Sequence, residues 1–411
     1  MKGVLFIHNN FPGQFGFIAD ELVRRGVPVA AIAGEGGRTV PGIPLARWLK
    51  HPPATEGIFR PAARTELDFL AGRAAAECAV KLKEGGFEPD LIIGHPGKGG
   101  TLFLREVFPE AKQLIHGEFY YHPNGGDADF DPEFGRPSFD DKIRTQAHNA
   151  PLALAYAGAD RIVCPTPFQK ALLPPAFQDR ASIIHEGVDT DRAKPRSDAA
   201  FMLEGGVVLD GSAPVITYVS RRFEPLRGFH IFLRALPKLL AEVPKAQVLL
   251  IGADEPNVYG LRAPEGTTWK SYFLNQMQGR LDLGRIHFTG PLPRDQMIAA
   301  MQISAAHVYY TYPFVLSWSL LEAMACECLV VASDTAPVRD AIQNRTNGIL
   351  LDFFDPGALA DALVEACRRP EAFTPLRRAA RETVLREFDR NRKCLPEWLQ
   401  MIGSLVPVPP G

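Results

Sequence analysis

Short apolar runs alternate with amphipathic stretches along the chain, and the alternation starts afresh halfway. Residues 4–7, Val-Leu-Phe-Ile, read as a strand buried on both faces. A polar loop with Asn9, Asn10, Pro12 and Gly13 follows. Then Phe15, Ile18, Ala19, Leu22 and Val23 fall at the spacing of one helix face. Pro28 opens a second strand over 29–33, and further apolar runs occur at 91–93, 113–115, 161–164 and 182–185. Continuous rather than alternating runs point to parallel strands covered by helices on both sides.

Between Asp189 and Ala213 the pattern loosens into small and polar residues, including Lys194-Pro195-Arg196-Ser197-Asp198, and a domain boundary is expected there. The rhythm then resumes. Strands are predicted over 215–219, 247–251, 286–289, 307–311 and 329–333, and helices over 228–243, 317–324 and 356–367. From about Pro375 to Leu405 the chain reads as helical, until Pro407-Val408-Pro409-Pro410-Gly411. The expected architecture is α/β: a first doubly wound, Rossmann-like domain over 1–195, a second over 205–385, and a helical tail over 386–411 that packs back toward the first. Sheets of this kind bind ligands beyond the carboxyl ends of their strands, so the two domains are expected to face each other across a cleft.

Composition narrows the class. The 411 residues exceed one ordinary core, and 46% hydrophobic with 22% charged residues is the balance of a soluble globular protein. A net charge of −2 gives no overall field to draw the chain to nucleic acid. The six cysteines (Cys78, Cys164, Cys326, Cys328, Cys367 and Cys394) show no C-x-x-C pair, and buried, reduced thiols are expected. The opening apolar run is too short for a signal peptide or a membrane span, so a cytoplasmic location is expected, with contact at a membrane surface left open.

The most informative segment runs from Tyr312 to Met324, Tyr-Pro-Phe-Val-Leu-Ser-Trp-Ser-Leu-Leu-Glu-Ala-Met. Pro313 ends a strand and a helix begins a few residues later, so free backbone N–H groups near Ser317 and Trp318 are expected to attract phosphate. Glu322 lies about one turn further in, placed to accept two hydrogen bonds from ribose hydroxyls. Its neighbours Leu320, Leu321, Ala323 and Met324 are apolar, and a lone carboxylate among them needs a partner.

A second constellation, Ser220-Arg221-Arg222-Phe223-Glu224-Pro225-Leu226-Arg227-Gly228, follows the first strand of the second domain. Arg222 and Arg227, five residues apart across a tight loop, can both reach a diphosphate and neutralise it as a leaving group. Gly13, in Phe11-Pro12-Gly13-Gln14-Phe15-Gly16, lets backbone approach phosphate closely, although the full dinucleotide fingerprint is missing. His95 and His116 sit at strand carboxyl ends, whereas His8, His148, His230 and His287 read as structural. Asp127-Ala128-Asp129 fits a metal-binding D-x-D pattern but lies in a Gly/Asp-rich loop, so no metal is expected.

Ser-Leu-Leu-Glu-Ala-Met-Ala followed by Leu329-Val330-Val331-Ala332-Ser333-Asp334 resembles the signature of the family 4 retaining glycosyltransferases, which have the two-domain GT-B fold. The Phe-Pro-Gly-Gln-Phe loop and the Tyr-Pro-Phe-Val-Leu-Ser-Trp-Ser block resemble one subgroup. The resemblance implies that Glu322 is the second of two family glutamates eight positions apart, the one that holds the ribose. Phe314 stands where the first is expected. It implies further that Arg222 and Arg227 match the diphosphate-binding arginine and lysine, and that Gly13 matches the N-domain glycine loop. Gly290 and Leu292 would line the base by backbone contacts, His116 would lie near the reacting sugar, and His95 would lie nearer the acceptor. Glu118, in His116-Gly117-Glu118, is the carboxylate closest in sequence to His116 and is assigned to replace what Phe314 lacks. His185-Glu186-Gly187-Val188-Asp189 is similar to the Asn-Gly-Val-Asp turn that closes the first domain, with Glu186 in the asparagine position.

The function implied is a metal-independent retaining glycosyltransferase of hexosyltransferase type, in glycan or polysaccharide biosynthesis. It would carry no cofactor and would use a nucleotide diphosphate-sugar, UDP- or GDP-linked, as donor. The acceptor would be a saccharide, a lipid-linked sugar or a protein, and nucleic acid is not a partner. A sugar-nucleotide epimerase on the same architecture and a non-catalytic binding subunit are the alternatives.

Overall fold

The computed structural model describes residues 1–48 and 52–410; Gly411, the last residue of the expected tail, lies outside the described residues. The chain forms two compact units, Met1–Glu186 with Asn391–Gly411, and Gly187–Arg390.

The first unit is built on seven parallel strands: β1 (Val4–Ile7), β2 (Val29–Ala33), β3 (Leu45–Arg47), β4 (Leu91–Gly94), β5 (Lys112–His116), β6 (Arg161–Cys164) and β7 (Ala181–Ile183). Their order is β3-β2-β1-β4-β5-β6-β7. The central strands are apolar at every position because both faces are covered; all four residues of β1 are buried. Two long helices, Ala63–Glu84 and Phe139–Gly158, belong to this unit, and the sequence pattern names neither. The first is rich in alanine and lacks a clean apolar stripe. The second contains Pro151, which reads as a breaker, yet it opens on a full capping box between Ser138 and Asp141. The helix Leu395–Gly403 also belongs here. Its Trp398 and Ile402 join a core with Phe6, Phe11, Phe15 and Leu22, and Trp398 Nε1 donates to the His185 carbonyl at 3.2 Å.

The second unit opens with a two-stranded antiparallel hairpin, β8 (Phe201–Met202) and β9 (Val208–Leu209). It then builds a six-stranded parallel sheet from β10 (Val215–Arg222), β11 (Gln247–Ala253), β12 (Ile286–Gly290), β13 (Ala306–Tyr309), β14 (Val330–Ser333) and β15 (Ile349–Leu351), in the order β12-β11-β10-β13-β14-β15. The pattern predicts neither the hairpin nor β3 and β15, all three residues or fewer per strand. The helix Phe229–Glu242 starts on Gly228, whose φ is +67° and whose Cβ position would lie 2.3 Å from Tyr310 Cβ; only glycine fits. The helix Trp318–Ala325 buries every residue after Trp318.

All six cysteines are free, with Cys164, Cys326, Cys328 and Cys394 buried. Among the described residues no helix is long and apolar enough to cross a membrane.

Candidate functional site

In the first unit, chemistry gathers at the carboxyl ends of three strands: His8 and His95 follow β1 and β4, and His116 ends β5. His8, His95 and His116 form a row, with ring centres 5.0 Å apart for His8 and His95 and 5.5 Å for His95 and His116. A chain of hydrogen bonds links the first two: His8 Nε2 to Gln14 Oε1 at 2.7 Å, Gln14 Nε2 to Glu118 Oε1 at 2.9 Å, and His95 Nε2 to Glu118 Oε2 at 3.0 Å. Gly13, at φ +47°, lies so close over His8 that a Cβ would fall 2.5 Å from the ring. Burial, then the neighbouring His95, push His8 down to about 3 and keep it neutral. Burial alone would raise the Glu118 carboxyl, but the neighbouring His95 imidazole and its hydrogen bond, with His116 and His8 behind it, hold it at about 2.

Glu118 therefore pairs with His95 and Gln14. The carboxylate hydrogen-bonded to His116 is Glu186, with Nε2 and Oε1 2.7 Å apart, and the assignment of Glu118 as the His116 neighbour is corrected on this point. The reason is topological: Glu186 follows β7 and is seventy residues away in sequence, so adjacency along the chain does not reveal it. Both His116 and Glu186 are buried. Burial raises the Glu186 carboxyl, but the His116 hydrogen bond and the neighbouring His185 and His116 imidazoles bring it to about 2. His8, expected as structural, is buried and hydrogen-bonded within this array.

In the second unit, Arg222 ends β10 and its Nε donates to Glu255 Oε2 at 2.7 Å. Arg227 closes the turn Pro225–Arg227. Its Nη1 donates to Thr311 Oγ1 at 3.0 Å, the Val315 carbonyl at 2.9 Å and Tyr309 Oη at 3.3 Å. The same Tyr309 oxygen accepts Ser317 N–H at 2.7 Å. Arg227 is thus fixed to the segment between β13 and the helix Trp318–Ala325, whose N-cap is Ser317. Phe314, where an acid is expected by resemblance, is buried under the Arg227 guanidinium, 5.3 Å from ring centre to charge, and packs on Tyr259 at 4.5 Å. An aromatic pair fills that position.

Glu322 is 1% exposed and forms an ion pair with Arg294. Burial raises its carboxyl, and Arg294 opposes the shift without cancelling it. The Glu322 oxygen in that pair is Oε1, held by Arg294 Nη2, while Arg294 Nε is buried and makes no hydrogen bond among the described residues. The partner that a carboxylate needs at this place is therefore Arg294, the first residue of the helix Arg294–Gln302, which the sequence reading passes over. A cation opening a helix right after Pro291-Leu292-Pro293 was the available signal. Glu224 was also passed over: buried between the two arginines in sequence, it accepts Gly260 N–H at 2.8 Å, and burial raises its carboxyl. Gly290 ends β12 at φ +70°, and Leu292 packs on the apolar cluster that contains Phe201 and Leu209. In the Asp127-Ala128-Asp129 loop, Asp129 accepts Gly125 N–H at 2.9 Å and Gly126 N–H at 3.1 Å, while burial lifts Asp127 to about 6.

Residues 25–193 match the Glycosyl transferase family 4 group, and residues 207–383 match Glycosyl transferases group 1. D-inositol 3-phosphate glycosyltransferase of Rhodococcus jostii is 25% identical over 236 residues, 53% of this chain and 50% of that protein. The chain spans about half the length of the curated relatives it matches. Among solved structures, sucrose-phosphate synthase from Thermosynechococcus elongatus superposes over 98% of this chain and 99% of its own, with a TM-score of 0.73 and 19% identity. Anabaena HepE in complex with UDP-glucose gives 0.67 at 16% identity, over 98% and 99% of the two chains. Two matched segments spanning both units, on a backbone of this type, lead to one statement: the chain belongs to the family 4 glycosyltransferases of the GT-B fold.

Proposed function

We propose that the protein is a metal-independent, retaining hexosyltransferase that moves a sugar from a nucleoside diphosphate to an acceptor hydroxyl in glycan biosynthesis. One observation carries the reading: Arg227 is tied to Thr311, Val315 and Tyr309, so a fixed cation lies against the segment that leads into the helix N-cap at Ser317. A guanidinium beside a helix N-terminus suits a diphosphate. Arg222 adds a second cation at the end of β10. Gly13 is proposed as a glycine that lets backbone approach phosphate. Glu322, one turn into the helix and paired with Arg294, would accept ribose hydroxyls, and Gly290 and Leu292 would contact the base. UDP is the preferred donor nucleotide, since HepE binds UDP-glucose, with GDP the alternative.

In the proposed reaction the bond from the anomeric carbon to the diphosphate oxygen breaks, and its electron pair stays on the phosphate. Arg222, Arg227 and the helix N-terminus stabilise that charge. The acceptor oxygen forms the new bond on the same face of the sugar and gives its proton to the departing phosphate oxygen. His116 holds a hydroxyl of the transferred sugar, Glu118 supports that side through His95, and His95 lies toward the acceptor. The acceptor class is a saccharide or polyol hydroxyl, in keeping with the names of the relatives. Six free thiols suit a reducing, cytoplasmic setting.

Calorimetric titration with UDP, GDP, ADP, CDP and dTDP, with and without EDTA, tests the reading. Tight binding of one diphosphate that survives EDTA is expected. Silence from all five in a folded, monodisperse sample refutes it and favours a non-catalytic relative.

A further inference from the structure

The three histidine rings of the first unit share a pattern that breaks at one atom. His8 Nδ1 accepts Asn10 N–H at 2.9 Å, and His95 Nδ1 accepts Gly97 N–H at 3.1 Å. A backbone N–H can only donate, so each of these rings carries its proton on Nε2 and donates it, His8 to Gln14 and His95 to Glu118. His116 repeats half of this arrangement. Its Nε2 lies 2.7 Å from Glu186 Oε1, whereas its Nδ1 is buried and makes no hydrogen bond among the described residues. An ionised carboxylate offers lone pairs and no proton, so it dictates which ring nitrogen is protonated.

We infer that Glu186 is a positioning residue that fixes His116 as its Nε2–H tautomer, leaving Nδ1 as a lone-pair acceptor for a hydroxyl of the transferred sugar. The inference rests on the transferase reading for its ligand but not for its tautomer. Glu186 is well held for the task. The preceding residue, His185, accepts Trp398 Nε1–H through its carbonyl, and the His185 ring lies 3.7 Å from Glu186 Oε2. Of the three rings, His8 and His95 have both nitrogens occupied, which leaves His116 as the one with a site to offer. An acceptor atom there recognises O–H and rejects a carbonyl or carboxylate oxygen. Nδ1 is buried in this structure.

Two readouts decide the matter. Ring-nitrogen NMR of ¹⁵N-histidine-labelled protein at pH 8, with the His116 signals assigned through His116→Gln, should show Nε2 protonated and Nδ1 bare. Glu186→Gln, whose amide donates as readily as it accepts, should release the ring into a tautomer mixture. Glu186→Asp, too short to reach, should do the same if the amide variant fails to fold. Calorimetry with UDP-glucose and UDP as probes should show Glu186→Gln weakening UDP-glucose about fivefold to tenfold, the scale of one hydrogen bond, while UDP changes less than about twofold. A tautomer unmoved in both variants, a doubly protonated ring in the wild type, or equal loss for both probes overturns the inference. Wild-type protein that ignores UDP overturns the transferase reading and the sugar contact together, and the tautomer measurement still decides the positioning role.

Discussion

Arg294→Met isolates the buried charge pair of the second unit. Glu322 is 1% exposed, and its counter-charge Arg294 has a side chain 28% exposed. Removing one partner of a buried pair typically costs about 3–5 kcal/mol, because the remaining charge is left without compensation. Partial exposure of the guanidinium favours the low end, about 3 kcal/mol. A domain of this size loses about 2–4 °C per kcal/mol, so thermal denaturation should fall by about 6–12 °C at neutral pH. The pH dependence has a definite sign. Burial already raises the Glu322 carboxyl above its usual 4.5, and removing Arg294 raises it further. A carboxyl with a raised folded-state pKa is tolerated below the unfolded value and destabilises as pH rises through the folded one. The gap between variant and wild type should therefore be small near pH 4.5 and widen toward pH 8. Arg294→Met with Glu322→Gln, which removes both charges, should recover most of the loss. Melting curves of wild type, Arg294→Met, Glu322→Gln and the double variant between pH 4.5 and 8 provide the test. A neutral-pH loss below about 0.5 kcal/mol, or a loss that is flat with pH, would refute the charge argument and leave only packing.

Two further outcomes are expected. Arg227→Ala should weaken the nucleoside diphosphate by about 1.5–3 kcal/mol, the scale of a charged hydrogen bond, and weaken the parent nucleoside far less; equal losses in calorimetry would remove its diphosphate role. Gly13→Ala places a methyl 2.5 Å from the His8 ring at a φ of +47°, so a loss of at least about 1–2 kcal/mol is expected, and a chemical denaturation midpoint equal to wild type would show that the loop yields freely.

The strands were legible because a parallel strand covered on both faces is written as an unbroken apolar run, as in Val4–Ile7 and Val330–Ser333. The two long helices of the first unit were not. In Ala63–Glu84 small alanines replace the large apolar residues that mark a face, and in Phe139–Gly158 a proline interrupts the pattern. Strands of two or three residues such as Phe201–Met202 and Leu45–Arg47 are fixed by their neighbours rather than by their own composition. The site residues divide in the same way. Glu322 announced itself as a lone charge in an apolar helix, but the identity of its partner depends on where the helix Arg294–Gln302 begins in space. Glu186 could not be paired with His116 from the sequence, since β6, β7 and the helix Phe139–Gly158 all intervene along the chain.

The first unit is made of two pieces of chain separated by the whole of the second. On a ribosome the second unit is contiguous and can close as soon as it emerges, whereas the first must wait for its last segment. At about 5–20 residues per second, translation of Gly187–Arg390 takes roughly 10–40 s. Throughout that interval the nascent first unit lacks Trp398, leaving the apolar ring of Phe15 and the carbonyl of His185 without their indole. The vectorial order of synthesis thus lets the histidine–carboxylate end of the first unit be completed only after the second unit has been made.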